Sequence, residues 1–169
     1  MKVETKILAE AATSVALAYA LSLIVPFRMP QGGSVTAVSM VPILWFALRR
    51  GSKMGVVEGI VYGLVRTLRQ PFIVHPVQFL LDYPLAFGAL GLAGLFKKYP
   101  ILGVAVGIAG RFVCHFLSGV VFFATYAPAG MNPAVYSAVY NGSYLMVELV
   151  FSIIVMYVLV KRGIIEMYL

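Results

Sequence analysis

Apolar residues fill this chain in long blocks, broken at five places where Pro, Gly and charged side chains gather: Pro26 to Ser34, Arg49 to Lys53, Arg69 to Pro76, Lys97 to Pro100 and Ala127 to Pro133. The breaks leave six apolar segments and predict helices near 5–25, 35–49, 53–70, 76–96, 101–124 and 134–161. A helix needs about 20 mostly apolar residues to cross about 30 Å of hydrocarbon. The second segment is short, so it is expected to span at little tilt or to be partly broken. Nothing remains for a soluble domain, and residues 1–169 are expected to form one all-α membrane domain, a six-transmembrane-helix bundle.

Composition narrows the solvent. Of 169 residues, 62% are hydrophobic and only 11% are charged, which excludes an ordinary water-soluble domain. The single cysteine, Cys114, lies within an apolar stretch, so neither a disulfide framework nor a thiolate metal cluster is expected. Ala18-Tyr19-Ala20 faintly resembles a signal-peptidase site, but the run before it is long and contains Glu10, so it reads as a retained first helix.

The net charge of +7 sits at the ends of apolar runs and forms no continuous basic face, which argues against nucleic acid as a partner. Lys2, Lys6, Arg49, Arg50, Lys53, Lys97, Lys98, Lys161 and Arg162 fall on one side of the predicted bundle; Arg28, Arg66 and Arg69 fall on the other. The positive-inside rule then places both termini in the cytoplasm. The loops at 26–34, 70–76 and 125–133 face outward, and a ligand pocket is expected to open there.

A few polar side chains remain within the apolar runs, where an ionised group costs several kcal/mol unless paired or solvated. Gln78 and Asp82 share one face of the fourth helix, followed by Tyr83 and Pro84. On the fifth, Arg111, His115, Ser118, Gly119, Phe122 and Phe123 recur at helical spacing. The sixth carries Tyr136, Tyr140, Tyr144 and Glu148 at four-residue intervals, with Ser137 and Asn141 alongside. A carboxylate, an imidazole, an amide and several rings suit a flat, cationic, heteroaromatic ligand held by stacking, cation–π contact and hydrogen bonds.

Plainer roles compete for some of these residues. Tyr136 and Tyr140 also suit an interfacial aromatic belt, and His115 and Asn141 suit interhelical hydrogen bonding. Arg111 and Glu58 lie at similar depth and are expected to form a structural ion pair, with Glu148 pairing an arginine in the same way; none of the three is expected to touch ligand. His75 reads as a capping residue and Trp45 as an interfacial anchor. Ala12, Ala16 and Ala20 form a smooth strip for close packing against another transmembrane helix. The chain has no G-x-x-x-x-G-K-[ST], H-E-x-x-H or G-x-S-x-G motif, so it is not expected to hydrolyse ATP itself.

Several longer stretches carry a resemblance: Met29-Pro30-Gln31-Gly32-Gly33-Ser34, Phe46-Ala47-Leu48-Arg49-Arg50-Gly51, His75-Pro76-Val77-Gln78, and Leu81-Asp82-Tyr83-Pro84-Leu85-Ala86-Phe87. With Arg111 through Gly119, Tyr126-Ala127-Pro128 and Tyr136 through Tyr144, the chain from about residue 20 to 150 resembles the thiamine-specific substrate-binding subunit, or S component, of energy-coupling factor transporters.

The resemblance implies a high-affinity thiamine-binding subunit of a vitamin importer, without a cofactor or metal. It captures thiamine outside and delivers it when docked to a transmembrane coupling subunit with two ATPases. By motif position it implies binding by Asp82, Tyr83, His115, Gly119, Phe123, Tyr136, Asn141 and Tyr144, a lid formed by Met29, Pro30, Gln31, Gly32, Gly33 and Ser34, and docking through Ala12, Ala16 and Ala20. The chain departs from the family pattern in having Asp82 where a Glu stands and Phe123 where a Trp stands. Asp reaches less far than Glu, and Phe gives weaker cation–π attraction than Trp. The alternatives are an S component for another vitamin or for a neutral precursor such as hydroxymethylpyrimidine, an intramembrane enzyme using Asp82 and His115 as acid and base, and a purely structural membrane subunit.

Overall fold

A computed structural model describes residues 3–69 and 71–164. Its helices, in chain order, are α1 (Val3–Ser22), α2 (Val41–Arg50), α3 (Ser52–Arg66), α4 (Pro76–Leu95), α5 (Pro100–Phe122) and α6 (Pro133–Lys161). Between α1 and α2 a small ribbon pairs β1 (Phe27–Arg28) antiparallel to β2 (Ser34–Val35), with Phe27 opposite Val35 and Arg28 opposite Ser34. Of the helices among the described residues, α4, α5 and α6 are long and apolar enough to cross a membrane. Lys2 lies outside the described residues, as does Gln70, at the predicted end of the third helix.

The largest correction concerns the second segment. The expected helix at 35–49 starts only at Val41, because residues 34–35 are used in the ribbon and Pro42 sets the first turn. A 10-residue helix covers about 15 Å, so α2 alone cannot span the hydrocarbon. It is instead the centre of the bundle: Phe46 is fully buried, and Ile43, Leu44, Ala47 and Leu48 are buried in one cluster with Tyr62, Phe87, Leu90 and Val104 of neighbouring helices. A helix apolar all round has no solvent face to expose. The first helix ends at Ser22 and the third at Arg66, each short of the expected boundary.

The fourth segment is helical throughout but not uniformly wound. Leu81–Leu85 forms a π turn and Ala89–Leu95 tightens to 3-10 winding. Pro84 lies inside the π turn; having no N–H and a ring that crowds the carbonyl four residues back, it favours a local widening of the helix. The widened turn contains Asp82 and Tyr83. α3 packs closely along this helix through Gly59 and Gly63, four residues apart, and Gly63 meets the widened turn itself. A Cβ at Gly59 would lie 2.2 Å from the Phe87 carbonyl oxygen, and one at Gly63 2.5 Å from that of Tyr83. Only glycine permits these contacts.

Charges close the end of the bundle remote from the ribbon. Glu10 of α1 bridges Arg49 at 2.9 Å and Arg50 at 2.5 Å, and Lys97 donates to the Arg49 carbonyl oxygen at 3.3 Å. The outer surface carries exposed apolar side chains such as Leu8, Val61, Val121, Val139 and Ile154, as expected for a protein whose solvent is lipid.

Candidate functional site

At the ribbon end, α4, α5 and α6 enclose a cavity of about 180 Å³ with the 26–34 loop over it. Its size and its lining of aromatic rings with a few polar groups mark it as a candidate binding site and not a packing defect. Asp82, Tyr83, His115, Gly119, Phe123, Tyr136, Asn141 and Tyr144 all line it, so three helices and Phe123, the residue that ends α5, bring the eight sequence-derived candidates to one place.

Asp82 sits at the centre of a donor network. Its Oδ2 accepts from the Gln78 amide at 2.6 Å and from the Ser118 hydroxyl at 2.8 Å, and its Oδ1 meets His115 Nδ1 at 2.9 Å. Gln78 is buried and also ties down the preceding loop, donating to the Phe72 carbonyl and accepting from the Val74 amide, both at 3.0 Å. Tyr83 accepts from the Phe72 amide at 2.8 Å. The carboxylate is therefore held in one orientation at the cavity wall.

The opposite wall comes from α6. Asn141 Nδ2 donates to the Ser137 and His115 carbonyl oxygens at 3.0 and 3.3 Å, and Asn141 Oδ1 accepts from Tyr144 at 3.1 Å. Tyr136 and Tyr140 stack with centroids 6.0 Å apart. Phe123 lies between Phe72, at 5.8 Å, and Tyr126, at 6.0 Å, completing an aromatic rim. Gly119 is where α5 and α6 meet: a Cβ there would stand 2.1 Å from Ser137 Oγ. Gly119→Ala is accordingly expected to cost about 1–3 kcal/mol by overpacking. A clear fall in thermal unfolding temperature in detergent checks this, and an unchanged one would refute the packing role.

The 26–34 loop is fastened over the cavity from α6. The Tyr140 hydroxyl donates to the Pro30 carbonyl and accepts from the Gly33 amide. Tyr140 is thus a fastening for the loop and not merely an interfacial ring. Gln31, Gly32, Gly33 and Ser34 face the cavity, while Met29 packs beside Tyr144 and Val35.

Two expectations about charged residues fail. Arg111 does not pair with Glu58: its guanidinium lies 4.2 Å over the Phe87 ring and donates to His115 Nε2 at 3.2 Å and to Met40 Sδ at 2.7 Å. Glu58 faces the α1–α3 contact near Ser14, buried and with no ion-pair partner among the described residues. Arg111 and His115 stand four residues apart on α5 and so share one face, whereas Glu58 of α3 is turned toward α1. Glu148 forms no ion pair with an arginine among the described residues; it accepts from the Thr36 amide and hydroxyl at 2.6 and 2.7 Å, fixing the chain just after the ribbon. His75 does cap α4, accepting from the Val77 amide at 3.1 Å.

Sequence reasoning also missed the cationic part of the lining. Arg111 borders the cavity, as do Arg28, Arg66 and Arg69, which the sequence offered only as orientation charges. Their place at the outer ends of segments was the available signal.

Comparison with known proteins agrees with this architecture. A family model described as "Thiamine transporter protein (Thia_YuaJ)" matches residues 8–166. A thiamine transporter, ThiT, of Bacillus subtilis is 35% identical over 145 residues, covering 76% of this chain and 75% of the relative. Another ThiT, from Lacticaseibacillus paracasei, is 32% identical over 171 residues, covering 87% and 84%. A solved structure of ThiT from Listeria monocytogenes superposes with a TM-score of 0.87 at 26% identity, covering 96% of this chain and 97% of that one.

Proposed function

This chain belongs to the thiamine transporter protein family, and from the geometry of its cavity we propose that it captures thiamine as the substrate-binding subunit of an energy-coupling factor importer. It is a membrane protein of transport and not an enzyme. The observation that carries the specific reading is Asp82: one oriented carboxylate in a cavity walled by Tyr136, Tyr140, Tyr144 and Phe123. Thiamine offers a thiazolium cation for the carboxylate and ring faces, and an aminopyrimidine for the hydrogen-bonding groups of Asn141 and Tyr136.

In this reading all six helices cross or fill the membrane, both termini lie inside, and the 26–34 loop closes over ligand arriving from outside. Docking through Ala12, Ala16 and Ala20 to a coupling subunit with two ATPases supplies the energy. All three alanines are exposed on α1, which favours that use. Calorimetry with the purified protein is expected to show one thiamine bound per chain below micromolar concentration, and no heat with riboflavin or biotin. Binding of either of those with none of thiamine would end the assignment.

The arginines favour a second reading of the cargo. Arg28, Arg66, Arg69 and Arg111 give the lining more positive than negative side chains, which suits a ligand bearing a phosphate ester beside its cationic ring. Thiamine monophosphate should then compete with thiamine, whereas a binding site for the free vitamin alone would reject it.

A further inference from the structure

The proton on His115 has a determinate place. Arginine has five N–H donors and no acceptor, so a hydrogen bond between Arg111 Nε and His115 Nε2 requires the histidine nitrogen to supply the lone pair. Nε2 is then unprotonated, and the ring proton resides on Nδ1, where it is donated to Asp82 Oδ1 at 2.9 Å. Arg111 is itself braced, with the Phe87 ring beneath its guanidinium and Met40 Sδ on Nη1, and so is not free to turn away.

The arrangement has an electrostatic result. A protonated imidazole would present a positive charge to Asp82 and use the carboxylate as its own counter-ion. It would also stand beside the Arg111 guanidinium, and like charges in contact repel. The charged or titratable groups facing His115 are Asp82 from α4, Arg111 from its own helix and Tyr144 from α6, whose ring lies 6.3 Å away. Of these only Asp82 favours an imidazolium.

We propose that Arg111 is a positioning residue that fixes the proton of His115 on Nδ1 and so reserves the negative charge of Asp82 for the cationic ring of the ligand. This rests on the thiamine reading for the identity of that cation, though not for the placement of the proton. The role is distinct from ligand contact: Arg111 acts through His115.

The protein has two histidines, so nitrogen NMR of histidine-labelled protein, with His75→Asn removing the other signal, reports His115 directly. The expected spectrum at neutral pH is that of a neutral ring protonated on Nδ1. An Nε2-protonated ring or an imidazolium would overturn the proposal, whether or not thiamine binds. The second arm is the pH profile of thiamine affinity. Arg111→Met removes the donor that holds Nε2 unprotonated and the like charge beside the ring, so between about pH 8 and about pH 5.5 affinity should fall more steeply in this variant than in the unaltered protein. The unaltered protein should change by less than about threefold over the same range. Parallel profiles for the two proteins would refute the role.

Discussion

Asp82→Asn is expected to weaken thiamine binding by about thirtyfold or more, because truncating one side of a desolvated, hydrogen-bonded charge pair costs about 2–5 kcal/mol. Two losses combine. The ligand cation loses its counter-charge, and the network loses an acceptor: Gln78, Ser118 and His115 all direct donors at Asp82, whereas an asparagine presents an N–H₂ group to at least one of them. The first loss depends on ligand charge and the second does not. Calorimetry with thiamine and with neutral hydroxymethylpyrimidine therefore separates them. The cation should suffer far more; equal losses would mean that Asp82 organises the pocket and does not read charge.

Ala16→Trp should abolish transport while leaving capture intact. Ala16 lies between Ala12 and Ala20 on the exposed face of α1, remote from the cavity lining. Helices in lipid associate through close contact between small side chains, and an indole in the middle of such a strip prevents that approach. Vitamin uptake by cells containing the energising module should drop at least about tenfold, with thiamine affinity of the purified variant within about twofold of the original. Undiminished uptake would remove this face from the docking surface. Reduced affinity would show that α1 communicates with the cavity.

The two variants probe features of unequal legibility. Ala12, Ala16 and Ala20 could be read as a strip because one helix supplies them all at fixed spacing, and the structure leaves them exposed. The eight pocket candidates could be nominated because polar groups in an apolar run need a reason to be there, and motif resemblance grouped them. The glycine strip of α3 was equally open to reading at four-residue spacing, yet its partner, the backbone of α4 at Tyr83 and Phe87, was not. Arg111 was misassigned for the same reason. Depth along a helix was inferable, but the direction in which its guanidinium points is set by Phe87 of α4 and by Met40 just before α2, which meet it only in the packed bundle.

By itself the sequence determined the solvent and the number of apolar segments, since both follow from composition and from breaks along the chain. It also determined which residues were costly enough in lipid to suggest a site, and through motif resemblance the family. The tertiary structure decided that the second segment is a buried 10-residue core helix preceded by a ribbon, that Glu148 and Tyr140 secure the chain at and just after the 26–34 loop, and that Arg111 faces His115 instead of Glu58. Hydrophobic periodicity is a property of one segment read alone. Which side chains meet is a property of several helices packed together, where a proline-widened turn or a missing Cβ redirects every neighbouring contact.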